Sequence, residues 1–271
     1  MEMTLAFIFG IIFGSFLNVV ILRIPKDESV IFTASHCVSC NTPLKPWHNI
    51  PLFSWIFLRG KCSFCKTKIS VQYPIIELIS GLIFLTLANK YGISLPIFFI
   101  ALSFLMLFAL SMIDFKYKMV PDSLNLLAII FAILGAWNLN GLLLNIQNAL
   151  LFAGAFTLLR FSLSYLLTSS AHRHANKTKT SWTSNYNTYP FIEAMGEGDI
   201  MVAATMGALL GVELTLVAIF LSAVLALPVM LGVQNKSKEE KRVPFVPFLA
   251  LATFIVYILD TPIMAYIEAN Y

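Results

Sequence analysis

Three stretches of this chain, Leu5–Leu22, Leu95–Ile113 and Leu214–Val233, run without a charged residue. As helices rising about 1.5 Å per residue they are about 27–30 Å long, enough to cross a hydrocarbon core of about 30 Å. Blocks that are apolar all round can fold only into a large soluble core or into a bilayer. The composition excludes the first: 58% of the 271 residues are hydrophobic and 12% charged, against about 45–50% and about 25% in soluble domains. The chain is expected to be an all-α polytopic membrane protein with membrane lipids as its solvent.

Further apolar segments bring the expected count to about eight transmembrane helices: Leu5–Leu22, Ile75–Ala88, Leu95–Ile113, Leu124–Trp137, Ala149–Leu167, Ile200–Gly211, Leu214–Val233 and Phe245–Tyr266. Asp122 or Ser123, after Pro121, is expected to cap the fourth. Ile200–Leu231 would be about 48 Å long as one helix, so a turn near Glu213 is expected. The first block reads as a retained span, because Arg23 and Lys26 follow it and only Glu2 precedes it.

The net charge of +4 does not imply nucleic acid, because the basic residues sit between spans. Arg23, Lys26, Lys45, Arg59, Lys61, Lys66 and Lys68 follow the first span, Lys116 and Lys118 the third, Arg173, Lys177 and Lys179 the fifth, and Lys236, Lys238, Lys241 and Arg242 the seventh. With eight spans these loops share one face, the cytoplasmic one, and the other face keeps Lys90. Arg160 falls inside the fifth span with no partner evident from sequence.

Residues 25–72 form the only polar stretch long enough for a domain outside the membrane, and they hold every cysteine. Cys37, Cys40, Cys62 and Cys65 make two C-x-x-C pairs, a spacing that brings four thiolates around one structural Zn²⁺. A closed four-thiolate shell leaves no open position for substrate, so the metal is expected to hold structure. His36 and His48 are expected to lie outside the ligand set. Trp47, Phe53, Trp55 and Phe57 are expected to form a minimal core around it.

Carboxylates gather where this topology places the inner face: Glu77 at the start of the second span, Asp114 at the end of the third, Asp122 at the start of the fourth, and Asp199 in Gly196-Glu197-Gly198-Asp199. Two such acids on adjacent helix ends can share a proton, one deprotonating water while the other polarises a peptide carbonyl. Asp114 with Asp199 is the better pair, because Asp122 has a simpler role as a cap. Gly196 and Gly198 would let an extended substrate backbone approach closely.

These features occur in order among motifs that carry a specific resemblance. They are Phe13-Gly-Ser-Phe-Leu-Asn-Val-Val-Ile21, Arg23-Ile-Pro25, the cysteine pairs, Trp47-His-Asn-Ile-Pro-Leu-Phe-Ser54, Gly60-Lys-Cys62, Tyr73-Pro-Ile-Ile-Glu77, Ile113-Asp114 with Pro121-Asp122, and Glu193-Ala-Met-Gly-Glu-Gly-Asp199. The chain resembles the bacterial type IV prepilin peptidases, bifunctional leader peptidases and N-methyltransferases among the Gly-x-Gly-Asp membrane aspartyl proteases. The resemblance implies that Asp114 and Asp199 are catalytic, supported by Gly196 and Gly198. It implies a bacterial inner-membrane enzyme, acting at the cytoplasmic face, that cuts the short basic leader from type IV prepilins or type II secretion pseudopilins. It further implies methylation of the new N-terminus with S-adenosylmethionine. The division implied is a first helix over 1–24, a zinc-stabilised head over 25–72 associated with methyl transfer, and a peptidase unit over 73–271. Glu77 takes a methyltransferase or structural role, and no residue is assigned to the methyl donor.

Two positions depart from the family pattern: Met201 replaces a frequent lysine, and Pro244-Phe-Val-Pro247 carries valine in place of glycine. His172–Thr188 reads as a solvated basic loop. The competing readings are a carboxylate-based transporter, which needs polar groups near mid-membrane, and an inactive assembly scaffold. The sequence leaves the oligomeric state open.

Overall fold

The computed structural model describes residues 1–32, 35–178, 193, 195–233 and 243–270. They form α1 (Glu2–Arg23), α2 (Phe53–Phe57), α3 (Gln72–Tyr91), α4 (Leu95–Tyr117), α5 (Asp122–Asn140), α6 (Leu142–Thr178), α7 (Glu197–Val233), α8 (Val246–Ile258) and α9 (Asp260–Asn270). The only β pairing among the described residues is two isolated bridges in the cysteine-rich head, His36 with Pro43 and Lys61 with Lys68.

Among the described residues, five helices are long and apolar enough to cross a membrane: Glu2–Lys26, Gln72–Tyr91, Leu95–Tyr117, Leu142–Ser170 and Glu197–Gly232. A sixth is added if α8 and α9, bent by 77°, make one broken span. The expected eight spans are therefore corrected to five, or at most six. The apolar part of α5 runs only from Asp122 to Trp137, about 24 Å at the helical rise. The expected sixth and seventh spans belong to one helical run, α7, interrupted at Gly211. Its first arm, Glu197 to Leu210, is about 21 Å long, short of the hydrocarbon thickness.

At that interruption Gly211 adopts φ 74° and ψ −171°, a conformation open to glycine and closed to most other residues. The Thr215 hydroxyl donates to the Met206 carbonyl oxygen at 3.2 Å. An unbroken helix would separate those residues by about 13 Å, so the chain bends back sharply here.

α1 shows why this is a lipid-facing bundle. Leu5, Ile8, Phe9, Ile12 and Phe16 form an exposed apolar stripe, while Ala6, Gly10, Gly14, Leu17 and Ile21 are buried on the opposite face. That pattern inverts the usual order of a soluble surface helix. The buried face meets α3 at backbone distance. A Cβ on Gly10 would lie 2.6 Å from the Ser80 carbonyl oxygen, and one on Gly14 would lie 2.7 Å from Ser80 Cβ. Gly10 and Gly14 thus form a small-x-x-x-small contact, the means by which helices pack where lipid competes for every apolar side chain. The Asn18 side chain, 1% exposed, donates from the same face to Tyr73 O at 3.2 Å.

α4 is the most enclosed span, with Leu105, Leu107, Leu110 and Ile113 almost fully buried. The Ser103 hydroxyl ties it to α5 by donating to Ala128 O at 2.8 Å. At the start of α5, Pro121 occupies the capping position, and no side chain, Asp122 included, makes the expected cap.

The head does not build the aromatic core expected of it. Trp47, Phe53 and Phe57 are 59%, 57% and 83% exposed, and Trp55 is partly covered, donating to Ile69 O at 3.4 Å. Cys62 is buried at 3%. The head is also not free of the spans: Leu52 N–H donates at 2.7 Å to the carboxylate of Glu77, which lies on α3 about 7.5 Å along from Gln72.

Replacing Gly10 by valine is expected to destabilise the protein by about 1–3 kcal/mol, because the overpacked α1–α3 contact must part. An unfolding temperature in detergent equal to that of the wild type would contradict this account of the interface.

Candidate functional site

The ends of several helices collect the acids of interest at one end of the bundle. α4 ends there, and its last turns carry Asp114, 7% exposed. α7 begins there with Glu197, Gly198 and Asp199, and α8 begins there with Val246. Asp114 and Asp199 are near enough for the charge of one to act on the other. Asp122, at the start of α5, is exposed.

Each aspartate is held by backbone. The carboxylate of Asp114 accepts from Val246 N–H at 3.2 Å, at the N-terminus of α8, where free N–H groups and the helix dipole favour negative charge. Val246 stands within the Pro244-Phe-Val-Pro247 segment, so the contact comes from its backbone, which valine supplies as glycine would. The carboxylate of Asp199 accepts from the backbone N–H of Gly196. Gly198 is fixed by space as well: a Cβ there would fall 2.5 Å from Cβ of Val120, in the link between α4 and α5. Sequence reading missed Val120 and Val246, because their contacts join segments far apart in the chain.

Arg160, which has no evident partner in the sequence, has two in the structure. Its Nη1 donates to Glu197 Oε1 at 2.9 Å and its Nη2 to Glu193 Oε1 at 3.1 Å. An arginine at the centre of a spanning helix costs about 2.5–3.5 kcal/mol on insertion scales, and these carboxylates offset part of that cost.

Glu77 is 6% exposed, with Leu52 N–H on its carboxylate and the Ser15 hydroxyl within hydrogen-bonding reach. Leu52 sits at φ 60°, an uncommon conformation for a branched apolar residue, and the bond to Glu77 secures it. The bond from Leu52 joins the head to α3 through Glu77.

The four cysteine sulfurs lie within 4.8 Å of one another, and Cys37 Sγ is 3.8 Å from Cys65 Sγ. Zinc–sulfur bonds of about 2.3 Å in tetrahedral geometry set sulfurs about 3.8 Å apart, so the group fits a metal ion of that size. Two matching turns present the thiols. Cys37 N–H donates to Thr42 O at 3.1 Å and Cys62 N–H to Thr67 O at 2.8 Å. The Thr67 hydroxyl beside Cys65 brings that thiol down to about 6, and Thr42 likewise lowers Cys40. Both favour the thiolate that a metal requires. His48 packs edge-on against Phe64 at 5.4 Å, and the metal-capable group comprises the four cysteines without His36 or His48.

A cavity of about 500 Å³, lined in part by Tyr91, Asn148, Gly211, Glu213 and Asp260, lies at the other end of the bundle. Beside it Lys90 pairs with Asp260 and donates to Ile258 O at 2.6 Å, and Tyr91 Oη is 2.8 Å from both Tyr257 O and Asp260 Oδ2. These groups close the C-terminus of α8 and are remote from Asp114 and Asp199. The expected loop His172–Thr188 is corrected at its start, because residues 172–178 continue helix α6; residues 179–188 and the expected loop at 236–242 lie outside the described residues, as do the side chains from 171 onward in α6.

A profile of the bacterial peptidase A24 N-terminal domain matches residues 8–91, and one of the type IV leader peptidase family matches residues 100–231. The prepilin leader peptidase/N-methyltransferase of Neisseria gonorrhoeae is 32% identical over 281 residues, covering 93% of this chain and 89% of that protein. Those of Stutzerimonas stutzeri and Aeromonas hydrophila are 31% and 30% identical, covering 96% and 99% of this chain and 91% and 94% of the relatives. No solved structure matches. The chain belongs to the type IV leader peptidase family.

Proposed function

We propose that this enzyme removes the short basic leader of type IV prepilins or type II secretion pseudopilins by aspartyl catalysis at Asp114 and Asp199. The observation that carries the reading is the pairing of two carboxylates at one end of the bundle, from helices far apart in sequence, each held by a backbone donor. One carboxylate takes a proton from water as that water attacks the scissile carbonyl, and the other donates a proton to the carbonyl oxygen. On collapse of the tetrahedral species the proton passes to the leaving amine. A substrate whose own helix already lies in the bilayer needs only local alignment of its leader junction, which replaces a bimolecular search.

The end that carries the aspartates also carries Arg23, Lys45, Arg59, Lys61, Lys116 and Lys118, whereas Lys90 stands at the other. By the positive-inside rule this supports a cytoplasmic active site in the bacterial inner membrane, whatever the number of crossings. A carboxylate-based transporter is disfavoured, because Arg160, a charge within a span, is paired with Glu193 and Glu197 at the catalytic end.

We assign a second step, methylation of the newly exposed amine, to the amino-terminal head and the span ends beneath it, with the rest of the chain as the peptidase unit. S-adenosylmethionine supplies the electrophilic methyl group, and no residue of this chain is assigned to hold it. Zn²⁺ on Cys37, Cys40, Cys62 and Cys65 serves as the node of a head that buries little else.

Cleavage of a prepilin-like substrate in liposomes is expected to fall to background in Asp114→Asn and in Asp199→Asn, with folding and metal content unchanged. Retained cleavage by either folded variant would overturn the dyad. Product mass after addition of S-adenosylmethionine tests methylation separately. Cys37→Ser is expected to lose stoichiometric zinc and to lower the unfolding temperature, and a metal-free variant as stable as the wild type would refute the structural role of zinc.

A further inference from the structure

We infer that Arg160 is a positioning residue of the peptidase site, clamping the Gly-x-Gly-Asp turn so that Asp199 faces Asp114. The inference rests on the reading of Asp199 as catalytic. It begins from a mechanical difficulty. Gly196 and Gly198 bracket Glu197, two positions before Asp199, and glycine is the residue least able to hold its own backbone conformation. A turn of this composition keeps one geometry only if its surroundings impose it.

Two constraints act on the turn. The first is steric, and lies at Gly198: a Cβ there would meet Val120 at 2.5 Å, so the backbone is seated against the α4–α5 link. The second is Arg160. Its two terminal nitrogens engage Glu193 and Glu197 separately, at 3.1 and 2.9 Å. These glutamates lie on either side of Met195-Gly196. Gly196 supplies the N–H that Asp199 accepts, so the segment spanned by the guanidinium also carries the donor to the carboxylate. Arg160 belongs to α6, a separate helix, and fixes this segment relative to the bundle.

The planar fork of arginine suits the task, because it presents donors in two directions at once, whereas a lysine ammonium is a single point charge. The glutamates are 65% and 78% exposed and the arginine is 20% exposed. Exposed pairs of this kind add little to global stability. Loss of the clamp therefore registers in catalytic geometry more than in folding.

Three readings make different kinetic predictions. A positioning clamp controls kcat. A docking site for basic leader residues, using Glu193 and Glu197 as counter-charges, controls KM. A purely structural pair changes the unfolding temperature and leaves both constants unchanged in the folded enzyme. The test is cleavage kinetics of a prepilin-like substrate by the full-length protein in liposomes. Arg160→Ala is expected to lower kcat by about tenfold to a hundredfold, the scale of losses from small misplacement of reacting groups, with KM within about twofold of wild type. Arg160→Lys is expected to fall between the two. The exposed pair Glu193→Gln/Glu197→Gln carries the same expectation, and carries the test if Arg160→Ala does not fold. Arg160→Glu combined with Glu197→Arg keeps one cation between two carboxylates, and is expected to recover most of the kcat lost in Arg160→Glu.

Wild-type kcat in folded Arg160→Ala, a rise in KM alone, or a swapped enzyme no better than Arg160→Glu would each overturn the inference. Asp199→Asn, measured alongside, separates the two levels. If that variant is inactive while the Arg160 variants cleave normally, the clamp is wrong and the dyad stands. If Asp199→Asn cleaves, the dyad itself falls.

Discussion

Lipid tails solvate leucine as well as a neighbouring helix does, so the apolar side chains that make this chain a membrane protein do little to decide which helices touch. Contact must come from shape and from polar groups satisfied inside the bundle. In α1 and α3 it comes from Gly10 and Gly14, which bring two backbones together, and from Asn18 reaching Tyr73 O. Between α4 and α5 it comes from Ser103 on Ala128 O. The pairing of Asp114 with Asp199 follows from the same economy, because α4, α7 and α8 are placed by such contacts before any chemistry is asked of them.

The head obeys a different physics. Fewer than fifty residues cannot bury enough apolar surface to hold themselves together in water, and here even the aromatics remain largely exposed. Its order comes from four thiols at metal-binding separation and from the carboxylate of Glu77. The head is thereby fastened at two levels, internally through sulfur and externally through a hydrogen bond to a spanning helix.

The sequence reveals much of this and hides specific parts of it. The cysteine pairs are legible because both knuckles are local, and the aspartates because Asp114 closes an apolar run and Asp199 follows two glycines. The number of crossings is not legible from hydropathy alone: the apolar part of α5 stops at Trp137, and Gly211 divides α7 into arms of unequal reach. Nor does any local pattern point from Arg160 to Glu193 and Glu197, more than thirty positions away. The aromatic core expected of the head fails for a related reason, since composition names residues able to pack and is silent on whether enough chain surrounds them.

α8 joins the two ends of the molecule. Its first turn presents Val246 N–H to Asp114, and its last turn is held by Lys90, Tyr91 and Asp260. A short helix fixed at both ends transmits axial shift or tilt with little loss, since its own hydrogen bonds resist stretching. The carboxylate of Asp114 is thus tied mechanically to an ion pair at the opposite end of the bundle. Whatever loosens the Lys90–Asp260 pair at one end of the bundle would therefore be felt at Asp114 at the other.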